Sequence, residues 1–290
     1  MNVSAASSTT RKASLRWLVL LPFSAAWAFV PGLSPTWTLF AVSMSIFAVL
    51  KCESTLHFLA TTRVRPTARE LIAWLLLWVG LDPAAFFIRR AATVPRAGEW
   101  IWGASKLLLG LGLLFIAAPR CLGLNELLAG WVAMTGLIFA LHFGAFHVLA
   151  LAWRRAGRDV VPIMRAPILS MSLSEFWSRR WNLAFRDFAH MFVFRPLARR
   201  RRIRLADWGA FAFSGLVHEL AISVPAGAGY GLPLAYFLLQ GCGVWLERRL
   251  PLAKRPGWGW CYALCFTAPA AWWLFHPAFV RRLILPLIGG

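Results

Sequence analysis

Apolar residues in this chain gather in long blocks, and polar residues, most of them arginine, gather between the blocks. Seven blocks stand out, at residues 17–30, 36–50, 106–118, 126–153, 207–224, 232–245 and 258–275. An α-helix needs about 20 apolar residues to cross a bilayer, and shorter stretches are accommodated by local thinning or snorkelling. In hydrocarbon only helices and closed barrels satisfy the backbone, and these blocks lack the alternation of barrel strands. The pattern therefore predicts an all-α, polytopic transmembrane helical bundle of about seven to eight spans. A further block, 71–81, is about half the crossing length and is expected to be a re-entrant or interfacial helix. Residues 1–14 are rich in Ser and Thr, with Arg11 and Lys12. They are expected to form a disordered basic tail ahead of a single membrane-embedded domain over 15–290. Ala26-Trp-Ala28 has the form of a signal-peptidase site, but with so many blocks following, the first is read as an uncleaved span. The run Arg281-Arg282-Leu-Ile-Leu-Pro286 fits no span of this count and is expected to re-enter.

Composition sharpens this picture. The 290 residues are 59% hydrophobic and 14% charged, against about 25% charged in soluble domains. The net charge is +20. On a soluble chain that excess would point to nucleic acid. Here the arginines sit in loops beside apolar blocks, where the positive-inside rule and anionic lipid account for them, so no nucleic-acid partner is expected. If 71–81 does not cross, the loops at 51–103, 153–205 and 247–257 share one side and hold nearly all the arginines. The loops at 31–35, 119–125 and 225–231 share the other and hold only Arg120. The N-terminus is then cytoplasmic. Short loops and an Arg/Ala-rich composition favour a bacterial inner membrane, with the endoplasmic reticulum as the alternative. The five cysteines show no CxxC pair and no metal spacing, so no metal site is expected.

One stretch, 172–219, departs from the block pattern. Ser172-Leu-Ser-Glu-Phe-Trp-Ser-Arg-Arg-Trp-Asn182 is polar and rich in Trp and Arg, and Ser214-Gly-Leu-Val-His218-Glu219 lies inside an apolar block. Ser172 and Glu175 have the spacing of a capping box, and Pro196 restricts the residue before it. One helix of about 22 residues, roughly 33 Å long, is expected between them. Arg179, Asn182, Arg186 and His190 would then share one stripe, opposite a row of aromatic residues. Such a helix lies in the interface or lines a wet cavity. His218 falls about 17 Å along its own helix axis, near mid-membrane. An ionisable His–Glu pair there is costly and points to function; a hydrogen-bonded structural histidine is the alternative. His142 and His147, on another span, read as helix–helix hydrogen bonders. Ser214, one turn from His218, would be a nucleophile candidate, but no G-x-S-x-G elbow surrounds it.

These two motifs, in this order and at this spacing, closely resemble the wax synthase branch of the membrane-bound O-acyltransferases. There a run like S-L-x-x-F-W-G-R-R-W-[NH] precedes S-G-x-x-H-E in a later span. Ser178 stands where Gly is usual. The resemblance implies transfer of a long-chain acyl group from acyl-CoA, a co-substrate rather than a cofactor, to the hydroxyl of a lipophilic alcohol. It implies His218 as catalytic base and Asn182 as its companion, with Glu219 available to fix the imidazole tautomer and Ser214 and Trp181 in support. Arg179, Arg180 and Arg186, with the run 199–202, are candidates for the CoA phosphates. A sterol, a diacylglycerol or a secreted polymer is an alternative acceptor, and a transporter or scaffold is the non-enzymatic alternative. The expectation is geometric: Asn182 and His218 should face one cavity.

Overall fold

Helices begin where short polar caps meet the apolar blocks. The computed structural model describes residues 16–199, 203–251 and 255–289, so the tail at 1–14 and positions 200–202 of the arginine run lie outside the described residues. Among the described residues there are helices and loops but no strand. After α1 (Arg16–Phe23), Ser34 caps α2 (Pro35–Thr61), accepting from the Trp37 N–H. Thr67 and Glu70 form a complete capping box on α3 (Ala68–Leu77). α4 (Ala97–Leu122) leads to α5 (Glu126–Arg155), which Asn125 starts by accepting from Leu128 N–H at 3.0 Å. α6 (Leu183–Ala189) precedes α7 (Leu205–Ala226) and α8 (Leu232–Glu247). The chain closes with α9 (Gly257–Leu274) and α10 (Pro277–Ile288).

Helices α2, α4, α5 and α7 are each long and apolar enough to cross a membrane, and α9 with α10 adds a fifth if that bent pair counts as one span. The chain is therefore an integral membrane protein. The remaining two predicted blocks are the shorter 18–29 segment and the 16-residue α8.

Segment 71–81 holds no helix long enough to cross a membrane. α3 ends at Leu77 after ten residues because the carbonyls that follow have another partner. Buried Lys51 of α2 donates to Trp78 O (2.8 Å) and Gly80 O (2.5 Å) and lies 3.3 Å from the Trp74 ring. The closing Arg-rich run turns inward, since α10 bends 57° from α9. Val280 and Leu283 are fully buried there, and Arg282 donates to Ala226 O at 2.6 Å.

Two helix contacts are made by glycine. A Cβ on Gly110 would overlap the Ala140 backbone, and one on Gly144 would lie 2.6 Å from the Cα atom of Leu107, so α4 and α5 touch backbone to backbone. Gly215 does the same for α7 and α8, where a Cβ would meet the Cα atom of Leu234 at 2.9 Å. Two hydrophobic cores flank the second contact. One joins α5, α8 and α10; the other joins α2, α6 and α7; Ala221 of α7 packs against both.

The single long helix expected after Ser172 is not formed. Ser172 accepts from Glu175 N–H (3.0 Å), but Glu175 returns to Met171 N–H rather than to Ser172, which makes half of a capping box. A short helix, Leu173–Glu175, runs into a π-helical turn, Phe176–Arg180. The chain then breaks. Trp181 is extended and Asn182 is left-handed (φ 40°). Two cross-chain hydrogen bonds draw the backbone out of the helix here: Arg165 N–H to Arg180 O (2.8 Å) and Leu183 N–H to Ile163 O (2.9 Å). Nor does Pro196 end the helix that follows; it sits in the first turn of Arg195–Ala198. The predicted stripe of Arg179, Asn182, Arg186 and His190 is divided by this break.

Candidate active site

His218 stands where α7 passes from regular α-helix into a π-helical turn, Glu219–Ser223. Its Nδ1 is 2.7 Å from Ser214 O. A carbonyl can only accept, so Nδ1 carries the proton and Nε2 keeps a free lone pair. The tautomer is thus fixed by a backbone carbonyl one turn earlier and not by Glu219. Glu219 has a different partner: its Oε1 accepts Leu234 N–H at 3.0 Å, capping the start of α8, where Gly231 offers no side chain. Its Oε2 is buried without a hydrogen-bond partner. The Ser214 hydroxyl donates to Ala210 O (2.9 Å) and so is not presented as a nucleophile. Phe237 of α8 lies against the imidazole (centroids 4.5 Å), and Phe185 of α6 meets it edge-on at 6.0 Å.

Asn182 occupies the break before α6. Asparagine tolerates the left-handed region better than most residues because its short side chain bonds locally. Here Oδ1 accepts Phe185 N–H at 3.2 Å, capping α6. With the oxygen occupied, the Nδ2 amide is the group left to donate. Trp181 stacks on Phe176 (5.4 Å, 14°). Trp177 donates to Gln240 Oε1 at 3.3 Å.

Asn182 and His218 line one cavity of about 1000 Å³. Its wall is mostly apolar and aromatic, including Phe176, Trp177, Trp181, Tyr236 and Phe237. Trp102, Ile168 and Trp260, all exposed on the protein's outer surface, also line it and mark its mouth. Trp260 donates to Ile168 O there (2.7 Å). A neutral imidazole and an amide donor in a mostly apolar cavity can remove a proton and stabilise an oxyanion.

The arginines take other places. Arg180 bonds Glu175 at 2.7 Å and reaches the carbonyls of Arg165 and Ala166. Arg186 pairs with Asp187 at 3.0 Å and lines a second cavity of about 300 Å³ with Asp82. Burial there pushes the Asp187 carboxyl up to about 6, against the pull of Arg186. Arg179 is exposed and has no ion-pair partner among the described residues.

Two supports lie on α8. Glu247 accepts the N–H groups of Leu173 (2.6 Å) and Ser174 (2.9 Å), and fully buried Gln240 joins Trp177 to Phe266 O (2.8 Å). Polar side chains in an apolar block are costly, and that signal singles out Gln240 within 232–245. Glu247 reads as part of a basic loop, and nothing in the sequence separates it.

Residues 160–239, which hold both motifs, match the model of the Membrane bound O-acyl transferase family. "Probable long-chain-alcohol O-fatty-acyltransferase 7" of Arabidopsis thaliana is 30% identical over 43% of this chain and 42% of its own length. The "Long-chain-alcohol O-fatty-acyltransferase" of Simmondsia chinensis is 28% identical over 71% of this chain and 63% of its own. "Acyl-CoA--sterol O-acyltransferase 1" of Arabidopsis thaliana is 27% identical over 50% and 48%. The chain spans less than two thirds of the length of each of these curated relatives.

Proposed function

We propose that this chain, whose residues 160–239 match the Membrane bound O-acyl transferase family and which is similar to long-chain-alcohol O-fatty-acyltransferases, is an acyltransferase of the wax synthase branch of that family and transfers a long-chain acyl group from acyl-CoA to the hydroxyl of a long-chain alcohol. The observation that carries this reading is the meeting of Asn182 and His218, from separate helices, on one apolar cavity. His218 Nε2 takes the hydroxyl proton as the alcohol oxygen attacks the thioester carbonyl. The Asn182 Nδ2 amide donates to the oxyanion, an interaction worth roughly 3–4 kcal/mol when well placed. Collapse expels the CoA thiolate, which receives the same proton back from the imidazolium. Neither a covalent acyl-enzyme nor a cofactor is required, since the thioester is itself the activated donor. The apolar wall suits the acyl chain, and the CoA head stays with the basic loops, where Arg179 has a free guanidinium to offer a phosphate.

The test gives purified protein labelled palmitoyl-CoA with hexadecanol, a sterol or a diacylglycerol and resolves the lipid products. Hexadecyl palmitate is the expected product. His218→Gln lowers its rate by about 10²–10⁴-fold while remaining folded. An unchanged rate removes His218 as the base. No ester with any acceptor removes acyl transfer, and a sterol ester alone moves the acceptor to the second class.

A further inference from the structure

His142 lines the same cavity as Asn182 and His218, and its chemistry is not spent on the protein. Its Nδ1 is buried and has no hydrogen-bond partner. Its Nε2 makes no hydrogen bond among the described residues either. Its one aromatic ring contact among the described residues is edge-on with Phe146, at 5.4 Å. This departs from the expectation that His142 and His147 both tie helices together. His147 does so, with its Nδ1 2.6 Å from Lys106 Nζ on α4, whereas His142 ties nothing. Native structures bond the great majority of their buried polar groups, and leaving one unmade is destabilising. Two hydroxyls of the same wall are, by contrast, already spent: Thr135 donates to Trp131 O and Ser170 to Pro167 O.

The local backbone singles out the same residue. His142 sits in a π-helical stretch, Ile138–Ala145, and such stretches are rare and frequent at functional sites. Phe143, the next residue, meets Trp181 edge-on at 6.3 Å, which places the stretch against the neighbour of Asn182. We propose that His142 is an acceptor-binding residue that holds the alcohol hydroxyl inside the cavity through a hydrogen bond. A neutral imidazole has one donor and one acceptor nitrogen, and a hydroxyl has both capacities in reciprocal form. A thioester carbonyl can only accept, and a phosphate calls for cations. At whichever ring nitrogen it reaches, a hydroxyl can donate or accept and so bonds His142 in either tautomer, which of the two substrates only the alcohol can do. The inference rests on acyl transfer to an alcohol as the reaction, and its test separates the two.

Binding is measured first, without turnover, by displacement of tritiated hexadecanol from purified protein with hexadecanol or with hexadecane. The wild type prefers the alcohol by about tenfold, close to 1.4 kcal/mol. His142→Phe keeps the ring and loses the nitrogens, and its preference falls several-fold, to what His218 and Asn182 still supply. His142→Gln keeps a donor and an acceptor and retains part of it. With palmitoyl-CoA present, His142→Phe raises KM for the alcohol about tenfold and leaves KM for palmitoyl-CoA unchanged. In the wild type, the His142 imidazole ¹⁵N resonances shift on adding hexadecanol and not on adding hexadecane. That measurement stands if the Phe variant does not fold. An unchanged preference in folded His142→Phe, or no ¹⁵N shift, overturns the assignment. A wild type that prefers the alcohol but forms no ester keeps His142 as a hydroxyl site and removes the reaction.

Discussion

Gly215→Ala tests whether the approach of α7 to α8 sets the geometry around His218. The added Cβ would lie 2.9 Å from the Cα atom of Leu234 and 2.7 Å from its Cδ1, where ordinary packing begins near 3.4 Å. The side-chain atom can rotate away, but the backbone atom cannot, so the helices must part by about 0.5 Å. Overpacking of this kind costs about 1–3 kcal/mol. The same displacement stretches the 3.0 Å bond from Leu234 N–H to Glu219 to about 3.5 Å, beyond a useful hydrogen bond. Both Glu219 oxygens would then be buried and unpaired, since Oε2 already is. Phe237, carried by α8, moves off the imidazole. A 1 Å misplacement can cost about 10²-fold in rate, so about a tenfold loss is expected here. Thermal unfolding in detergent and kcat on palmitoyl-CoA and hexadecanol are the two measurements, with Tm several degrees lower and kcat down about tenfold. Leu234→Ala, added to the first change, relieves the clash with Cδ1 and leaves the clash with the backbone, so it rescues only in part. A Gly215→Ala protein with wild-type Tm and kcat would refute the reasoning.

Two further predictions concern other elements. Asn182→Asp keeps the oxygen that caps α6 and replaces the donating amide with a second acceptor. Its Tm should stay near wild type while kcat falls about 10²–10³-fold, and equal losses in both would reduce Asn182 to a cap. Glu70 is held down to about 2, first by its hydrogen bond from Arg158 at 2.8 Å, against an ordinary 4.5. The stabilisation this represents is complete above pH 4.5 and is lost as pH falls toward 2. Glu70→Gln should therefore lower stability by about 1–2 kcal/mol at neutral pH, the scale of a partly buried pair. The gap in Tm between the two proteins should narrow below pH 4.5 in a scanning fluorimetry series, and a constant gap down to pH 3 contradicts this origin.

Much of this architecture can be read from side-chain chemistry along the chain. The block pattern locates the long apolar helices α2, α4, α5 and α7 and the bent α9–α10 pair, and marks 71–81 as too short to join them, because the length of an apolar run can be read directly from the chain. Asn182 and His218 reach one cavity as the motifs imply. What the residues do locally is less legible. Ser172, Glu175 and Pro196 bracket a plausible helix, yet the break at Asn182 depends on backbone bonds to residues 163–165, and the short-range periodicity of the segment carries no trace of them. Glu219 beside His218 suggests a pair, but α-helical neighbours one apart point in different directions, and Glu219 turns to Leu234 instead. The imidazole partner is a carbonyl, which every residue has, so no side-chain pattern can reveal it. His142 shows the same limit from the other side. A histidine in a span reads as a cross-helix bonder until the structure shows that its partner is missing.

The π-helical turns at 138–145, 176–180 and 219–223 bear on descent as well as geometry. Such a turn commonly sits as a bulge within an α-helix and holds more residues than the turn it replaces. Deleting one residue would let regular winding resume and rotate everything beyond it by about 100°. Each of these three walls therefore behaves as though a single residue had been inserted beside the cavity, swinging the downstream face to a new bearing. A chain of this kind that lacked one of these bulges would need a one-residue gap at that place for the faces beyond it to stay in register.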